Sequence, residues 1–292
     1  MDHKSGFVNI IGKPNVGKST LMNLLVGEKL SVITSKAQTT RNRILGILNG
    51  SDYQIVFSDT PGILEPSYKL QEIMLKSTRS ALEDADVIIY LTDISEKPNP
   101  DEEFIRKIRS AEVPVLLVLN KIDLSDPDSV LELIGQWNTV LPDAEKIPAS
   151  ALKRFNVDFI FERILHHLPV ALPFYPKDQL TDKSERFFAG EIIREKILLH
   201  FKQEIPYSVE IEIDHFKETG NLLRIHGIIY VERESQKGIL IGRNGLALKR
   251  VAREARLEME QFFRKKIFLE LLVKVKKDWR NNEREIRKFG YR

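Results

Sequence analysis

The 292-residue chain contains no cysteine, which excludes disulfides, thiolate metal sites and thiol nucleophiles together. Long hydrophobic runs are also missing. The clean apolar run after Pro114, Val115 to Leu119, is far too short to cross a bilayer. Met1-Asp2-His3-Lys4-Ser5 leads straight into a strand-like segment without the hydrophobic region of a signal peptide, so a cytoplasmic protein is expected. Internal repeats and low-complexity tracts are absent. Charge of one sign does not dominate either, with 45 Lys+Arg facing 42 Asp+Glu. That near-balance conceals an asymmetry. Residues 1–170 carry 19 basic and 23 acidic side chains, and residues 171–292 carry 26 and 19. The basic second half suits a polyanionic partner, although a solvated charged surface would account for the charge equally well. Apolar content of 42% is ordinary for a globular protein, and the length suits two domains rather than one core.

What is present begins at residues 12–19, where Gly12, Lys13, Pro14, Asn15, Val16, Gly17, Lys18 and Ser19 complete the pattern GxxxxGK(S/T). Such a loop turns successive backbone N–H groups toward phosphate oxygens, and the helix behind it adds the positive end of its dipole. Lys18 can reach the β- and γ-phosphates, and the Ser19 hydroxyl can ligate Mg²⁺. The context agrees. Phe7-Val8-Asn9-Ile10-Ile11 reads as a buried strand, and Leu21, Leu24 and Leu25 give the following helix an apolar face that Gly27 ends.

Four further segments follow in order. The strand Gln54–Ser58 delivers Asp59, Thr60, Pro61 and Gly62, placing a carboxylate for Mg²⁺ and a glycine whose N–H can face a γ-phosphate. Val115–Leu119 delivers Asn120, Lys121, Ile122 and Asp123. An ionised Asp123 can accept two hydrogen bonds from guanine N1–H and its 2-amino group, which adenine does not offer. Ser150 and Ala151 can aim a backbone N–H at guanine O6. Between the first and third elements, Gln38-Thr39-Thr40-Arg41 places a hydroxyl, taken as that of Thr40, to complete the Mg²⁺ shell only while a γ-phosphate is present. Lys18, Thr40 and Gly62 are therefore the expected catalytic set. Arg41 and Arg43 are candidates for stabilising transition-state charge, with solvated switch residues as the favoured reading.

These five elements resemble the guanine nucleotide-binding P-loop proteins over roughly residues 6–168. Ile63 stands where Ras-like members carry a water-orienting Gln, so slow intrinsic hydrolysis is expected. The loop also resembles that of bacterial GTPases in which an Asn at the position of Asn15 ligates K⁺ beside the phosphates. Simple support of the loop by Asn15 is the other reading.

Strands are expected at 7–11, 53–58, 87–92 and 113–119, alternating with helices in a mostly parallel sheet. Pro169, Pro173 and Pro176 then interrupt any helix, so 169–180 is expected to be a linker between domains at 1–168 and 181–292. The second domain reads as a helix within 181–203, strands at 209–213 and 222–231, then Gly238-Ile239-Leu240-Ile241-Gly242-Arg243-Asn244-Gly245 opening a basic helix, and a last strand at about 268–275. Helix–strand–strand–helix–strand with IGxxG is the KH pattern, in which the glycine loop admits a single-stranded phosphate backbone of about four nucleotides. Ile241, Gly242, Arg243, Asn244, Gly245, Lys249 and Arg250 are the expected RNA-binding residues. The bases would lie on a groove of Ile239, Ile241 and the adjacent strand.

A P-loop GTPase domain joined to an α+β type II KH domain is a specific pairing, and the whole chain resembles the Era family of bacterial GTPases. Gly12 to Leu21, Lys36-Ala37-Gln38-Thr39-Thr40-Arg41, Asp59 to Gly62, Asn120 to Asp123, Glu232 to Gly238 and the closing Trp279…Gly290-Tyr291 carry the likeness. Arg243-Asn244 departs from the more usual Lys-Gly, and Ile63 to Leu70 departs from the family's usual sequence. The resemblance implies GTP/GDP and Mg²⁺ as cofactors. It also implies 16S rRNA near its 3′ end and the 30S subunit as partners, and loose association with the inner membrane. No DNA partner is expected, and a monomer is the default. Two other readings stay open: a GTP-gated interaction protein whose C-terminal half binds protein or anionic membrane, and an ATPase or P-loop kinase, which Asp123 disfavours.

Overall fold

The computed structural model describes residues 3–99 and 102–291; Met1, Asp2 and Arg292, outer limits of the two expected domains, lie outside the described residues. Six strands build the first sheet: β1 (Lys4–Ile11), β2 (Ile44–Asn49), β3 (Tyr53–Asp59), β4 (Val87–Asp93), β5 (Val115–Asn120) and β6 (Glu145–Pro148). Their order is β2-β3-β1-β4-β5-β6, parallel throughout except where β2 meets β3. Helices α1 (Lys18–Val26), α2 (Lys69–Glu83), α3 (Glu103–Arg109), α4 (Pro127–Val140) and α5 (Val157–His167) alternate with these strands. Parallel strands covered on both faces read as continuous apolar runs, and all seven residues of β4 are buried. Tyr90 of β4 packs edge-on against the fully buried Trp137 of α4, ring centroids 5.6 Å apart.

The sequence reading contains neither β2 nor β6. In β2 the glycine at 46 weakens the strand signal, yet close packing requires it: a Cβ there would lie 2.8 Å from a Val26 methyl. β6 is short and ends on Pro148, as an edge strand tolerates.

The three-stranded second sheet runs β7 (Glu210–Thr219), β8 (Leu222–Val231), β9 (Lys266–Val275), with β7–β8 antiparallel and β8–β9 parallel. Helices α6 (Glu185–His200) and α9 (Leu246–Phe263) cover one face, where Ile193, Ile197, Ile225, Ile229, Val251 and Met259 form the core. Burying each such side chain contributes about 1.5–3 kcal/mol. Two short helices, α7 (Ile205–Ser208) and α8 (Glu234–Ile241), precede β7 and α9, and α10 (Glu283–Lys288) is the last described helix. Helix α8 is absent from the sequence reading, since Gly238 and its eight-residue length hide it.

By contact the chain divides into two units. One holds the residues up to 31 with 40–65 and 74–182; the other holds 32–39, 66–73 and the residues from 183 onward. The proline-rich stretch after 168 runs along the first unit. Ser5 N–H donates to Pro169 O (3.1 Å), Ala171 N–H to His3 O (3.0 Å), and the side-chain oxygen Oε1 of Gln54 accepts from Phe174 and Tyr175 N–H (2.7 and 2.9 Å).

Candidate functional site

The carboxyl ends of β1, β3 and β5 bring the sequence motifs into one crevice, where open parallel sheets place ligands. The register pairs Ile10 with Asp59, so β1 and β3 end level with each other, and Asp93 with Asn120. After β1 the chain turns through Gly12 (φ 153°), Asn15 (φ 65°) and Gly17 (φ 107°) into α1. The glycines are required. A Cβ on Gly12 would stand 2.0 Å from Leu91 O, and one on Gly17 would stand 2.3 Å from Asn120 Nδ2. Val16 is buried beneath the loop, while Asn15 is exposed at its crest.

Lys18 lies buried, its Nζ donating to Gly12 O (3.0 Å) and Lys13 O (2.8 Å). Burial depresses its pKa to about 8, and the nearby carboxylates of Asp59 and Glu96 restore only part. Three oxygens converge beside it. Ser19 Oγ donates to Asp59 Oδ2 (2.7 Å) and lies 3.0 Å from Thr40 Oγ1, which itself donates to Asp59 Oδ2 (3.1 Å). Asp59 is fully buried. That burial raises its pKa against the pull of Lys18 and of the hydroxyls of Ser19, Ser31 and Thr40. Its other oxygen, Oδ1, is buried without a hydrogen-bond partner among the described residues. A hard divalent cation fits this set of two hydroxyls, a carboxylate and an orphaned carboxylate oxygen, since hard cations select oxygen ligands.

Gly62 packs against the phosphate loop, where a Cβ would lie 2.8 Å from Pro14 N. Ile63 N–H donates to Gly12 O (3.0 Å), and Pro61 O accepts from Thr78 Oγ1 (3.0 Å). Thr60 Oγ1 donates to Ile10 O (2.8 Å), so this hydroxyl braces the strand end. At the other end of the crevice, Asn120 ties the loop at 12–19 to the segment at 150–151. Its Nδ2 donates to Val16 O (2.8 Å), and its Oδ1 accepts from Ala151 N–H (2.9 Å). Ile122 and Asp123 form a short 3₁₀ turn, and the exposed Asp123 accepts from Ser150 Oγ at 2.5 Å.

The sequence reading missed three carboxylates here. Glu96 and Glu102 bind Lys13 (3.1 and 2.7 Å). Burial works against the Lys13 charge, but these two anions hold its ammonium above the usual range. Asp93 binds Lys121 at 2.6 Å. Burial would raise its pKa, yet Lys121 and Ser95 hold it below the usual carboxylate range. None of the three belongs to a motif with fixed spacing, so sequence offered no signal. Two expectations need correction. Arg41 is buried at 2% exposure rather than solvated, and Arg43 is bound into the sheet edge through Ser58 Oγ (2.6 Å) and Asp84 Oδ2 (2.5 Å).

In the second unit the glycine loop joins two helices. Gly242 (φ 71°), Asn244 (φ 53°) and Gly245 (φ 74°) turn the chain from α8 into α9. At Gly242 a side chain would also crowd Ala247 at 2.7 Å. Arg243, Lys249 and Arg250 are exposed, Arg250 bound to Glu254 at 3.2 Å. Ile239 is half exposed on α8, and Ile241 packs partly into the core, so the expected apolar groove is helical on this side.

Comparison with known proteins bears on both sites. Residues 7–121 match the family described as 50S ribosome-binding GTPase, and residues 204–280 match the KH domain family. The chain is 44% identical over 292 residues to GTPase Era of Staphylococcus haemolyticus, covering 99% of this chain and 98% of that protein. A crystal structure of Era in complex with MgGDPNP and nucleotides 1506–1542 of 16S ribosomal RNA superposes with a TM-score of 0.94 at 42% identity, covering 99% of both chains. An Aquifex aeolicus Era variant bound to GDP·AlF4⁻ superposes equally well at 43% identity, again over 99% of both chains.

Proposed function

The chain belongs to the Era family of GTPases, and from that premise we propose that it is a GTP-hydrolysing switch. It binds the 3′ end of 16S rRNA through its KH domain and assists assembly of the 30S subunit. The observation that carries the nucleotide half is the convergence of Ser19, Thr40 and Asp59 beside a buried Lys18, with one Asp59 oxygen unsatisfied. These three residues would hold Mg²⁺, whose charge neutralises the β- and γ-phosphate oxygens as the terminal group departs. Backbone N–H groups of residues 12–19 cradle the phosphates, and Lys18 adds a point charge at the β/γ junction. Gly62 offers its N–H to the γ-phosphate.

Asp123 selects guanine, and Ser150 Oγ orients the carboxylate that does so. Asn120 holds the base-binding and phosphate-binding loops at fixed separation. Ile63 offers no hydrogen bond to a nucleophilic water, so hydrolysis depends on electrostatic stabilisation elsewhere, with K⁺ at Asn15 as one source. The domains are taken as 1–168 and 181–292 around a linker at 169–180. In the second, Gly242 and Gly245 admit the phosphate backbone at the amino end of α9 while Arg243, Lys249 and Arg250 supply counter-charge.

The alternative of a GTP-gated protein- or membrane-binding module is not favoured beside relatives that match the whole chain. Among the described residues no helix is long and apolar enough to cross a membrane. The proposed place of action is the cytoplasm, with peripheral contact to the inner membrane as the family resemblance implies. The test is direct: purified protein with Mg²⁺ should hydrolyse GTP and not ATP, and should retain an RNA of the 16S 3′ end in a salt-sensitive manner. Indifference to guanosine nucleotides would contradict the proposal.

A further inference from the structure

Residues 32–39, which end at the residue before Thr40, belong to the second unit together with α6. Two reciprocal contacts hold them there. Lys36 Nζ donates to the carbonyls of Leu198 and Phe201 at the carboxyl end of α6, where the helix dipole favours a cation. In the other direction Arg194 of α6, 1% exposed, donates through Nη1 to Gln38 O (3.3 Å) and through Nη2 to Thr39 O. Its remaining donors meet Glu191, with Nε to Oε1 at 2.8 Å and Nη2 to Oε2. A buried guanidinium is costly unless its fork of donors is satisfied, and the two loop carbonyls supply acceptors that Glu191 does not.

The gripped residue is also a strained one. Gln38 adopts φ 59°, a conformation that non-glycine residues enter only when pinned. Its side chain is fixed as well, with Oε1 accepting from Tyr68 Oη at 2.6 Å, and Tyr68 lies under the guanidinium of Arg280 at 4.5 Å. Thr39 Oγ1 donates to Lys36 O (2.6 Å), which leaves the loop little room to swing. The next residue is Thr40, whose hydroxyl meets Ser19 and Asp59.

We propose that Arg194 is a positioning residue for GTP hydrolysis: by holding the carbonyls of Gln38 and Thr39 it presents the Thr40 hydroxyl to the Mg²⁺ site. The proposal rests on the reading of Ser19, Thr40 and Asp59 as the metal-binding set. It makes the triphosphate-bound arrangement depend on a residue of α6, far along the chain from the motifs at 12–19, 59–62 and 120–123. Since the Thr40 hydroxyl is needed only with a γ-phosphate present, loss of Arg194 acts on the triphosphate state and spares GDP.

The test uses the full chain carrying Arg194→Lys or the charge-compensated pair Arg194→Met/Glu191→Gln, each also combined with Thr40→Ala. Arg194→Lys keeps a cation for Glu191 without the planar fork, so melting should stay near that of the parent. Single-turnover hydrolysis should fall about 10- to 100-fold, the effect of losing hydrogen bonds to a charged group. MgGDPNP affinity should fall about tenfold, and MgGDP affinity should change by no more than about twofold. With Thr40→Ala already present, the Arg194 substitutions should add less than about a twofold loss, because both remove the same ligand. Unchanged hydrolysis, or a full further loss in the Thr40→Ala background, overturns the proposal. If Thr40→Ala alone leaves hydrolysis and triphosphate affinity intact, the metal-site reading fails instead. Should both Arg194 variants lose cooperative melting, hydrogen exchange of the unmodified protein decides. Amides of residues 36–41 should exchange at least about tenfold more slowly with MgGDPNP than with MgGDP, and equal rates overturn the proposal.

Discussion

Asp123→Asn tests base recognition where the structure specifies the outcome. Ser150 Oγ donates to one Asp123 oxygen at 2.5 Å. In the variant, that donor should select the amide oxygen as its partner and turn the NH₂ group toward the base. An NH₂ facing guanine N1–H and the 2-amino group sets donor against donor. Two charge-assisted hydrogen bonds are lost, each worth about 1.5–3 kcal/mol. The combined loss of about 3–6 kcal/mol corresponds to roughly a 10²- to 10⁴-fold weaker affinity for GTP. Xanthine, with a carbonyl in place of the 2-amino group, accepts what the amide donates. Equilibrium competition against a labelled guanosine nucleotide, with XTP and ATP as competitors, should therefore show preference passing from GTP to XTP while ATP stays weak. The fold should be untouched, since Asp123 is exposed on a short turn. Retained GTP preference in a folded variant would refute the assignment.

Gly242→Asp with Gly245→Asp should weaken binding to a 16S 3′-end RNA by at least about tenfold, because an anion would stand where the phosphate backbone must approach. Filter binding checks this, with GTP affinity expected to remain within about twofold. Exchanging KCl for NaCl at constant ionic strength should slow hydrolysis if Asn15 ligates K⁺; equal rates would remove that role. Asn120→Ala should weaken GTP and GDP alike by about 10- to 100-fold, since it severs both the Val16 O and Ala151 N–H bonds that set the loop separation. Trp279→Ala should cost about 3–5 kcal/mol of stability, read as a lower denaturant midpoint. Trp279 is fully buried, packs edge-on to Phe289 and donates to Ser208 O at 2.9 Å.

The loop at 12–19, the strands that end at Asp59 and Asn120 and the glycine turn at 242–245 were legible because each combines a strict local spacing with a hydrophobic run of the right period. Strand β2 was not, since Gly46 answers to the approach of Val26, a tertiary fact without local pattern. Helix α8 was hidden by its shortness and by Gly238. The partners of Lys13 and Lys121 lie tens of positions away along the chain. Arg194 illustrates the limit best. Its acceptors at 38 and 39 are backbone carbonyls, which every residue possesses, so no side-chain type at those positions could announce the contact.

The central claim is that the occupant of the phosphate crevice sets the grip on RNA. Affinity for nucleotides of the 16S 3′ end should therefore be measured on one preparation at fixed salt with MgGDPNP, with MgGDP and without nucleotide. The account expects at least about a tenfold difference between the MgGDPNP and MgGDP states, an energetic coupling of about 1.4 kcal/mol, with an equal and reciprocal change in nucleotide affinity when RNA is bound. Identical RNA affinity in all three conditions would contradict it.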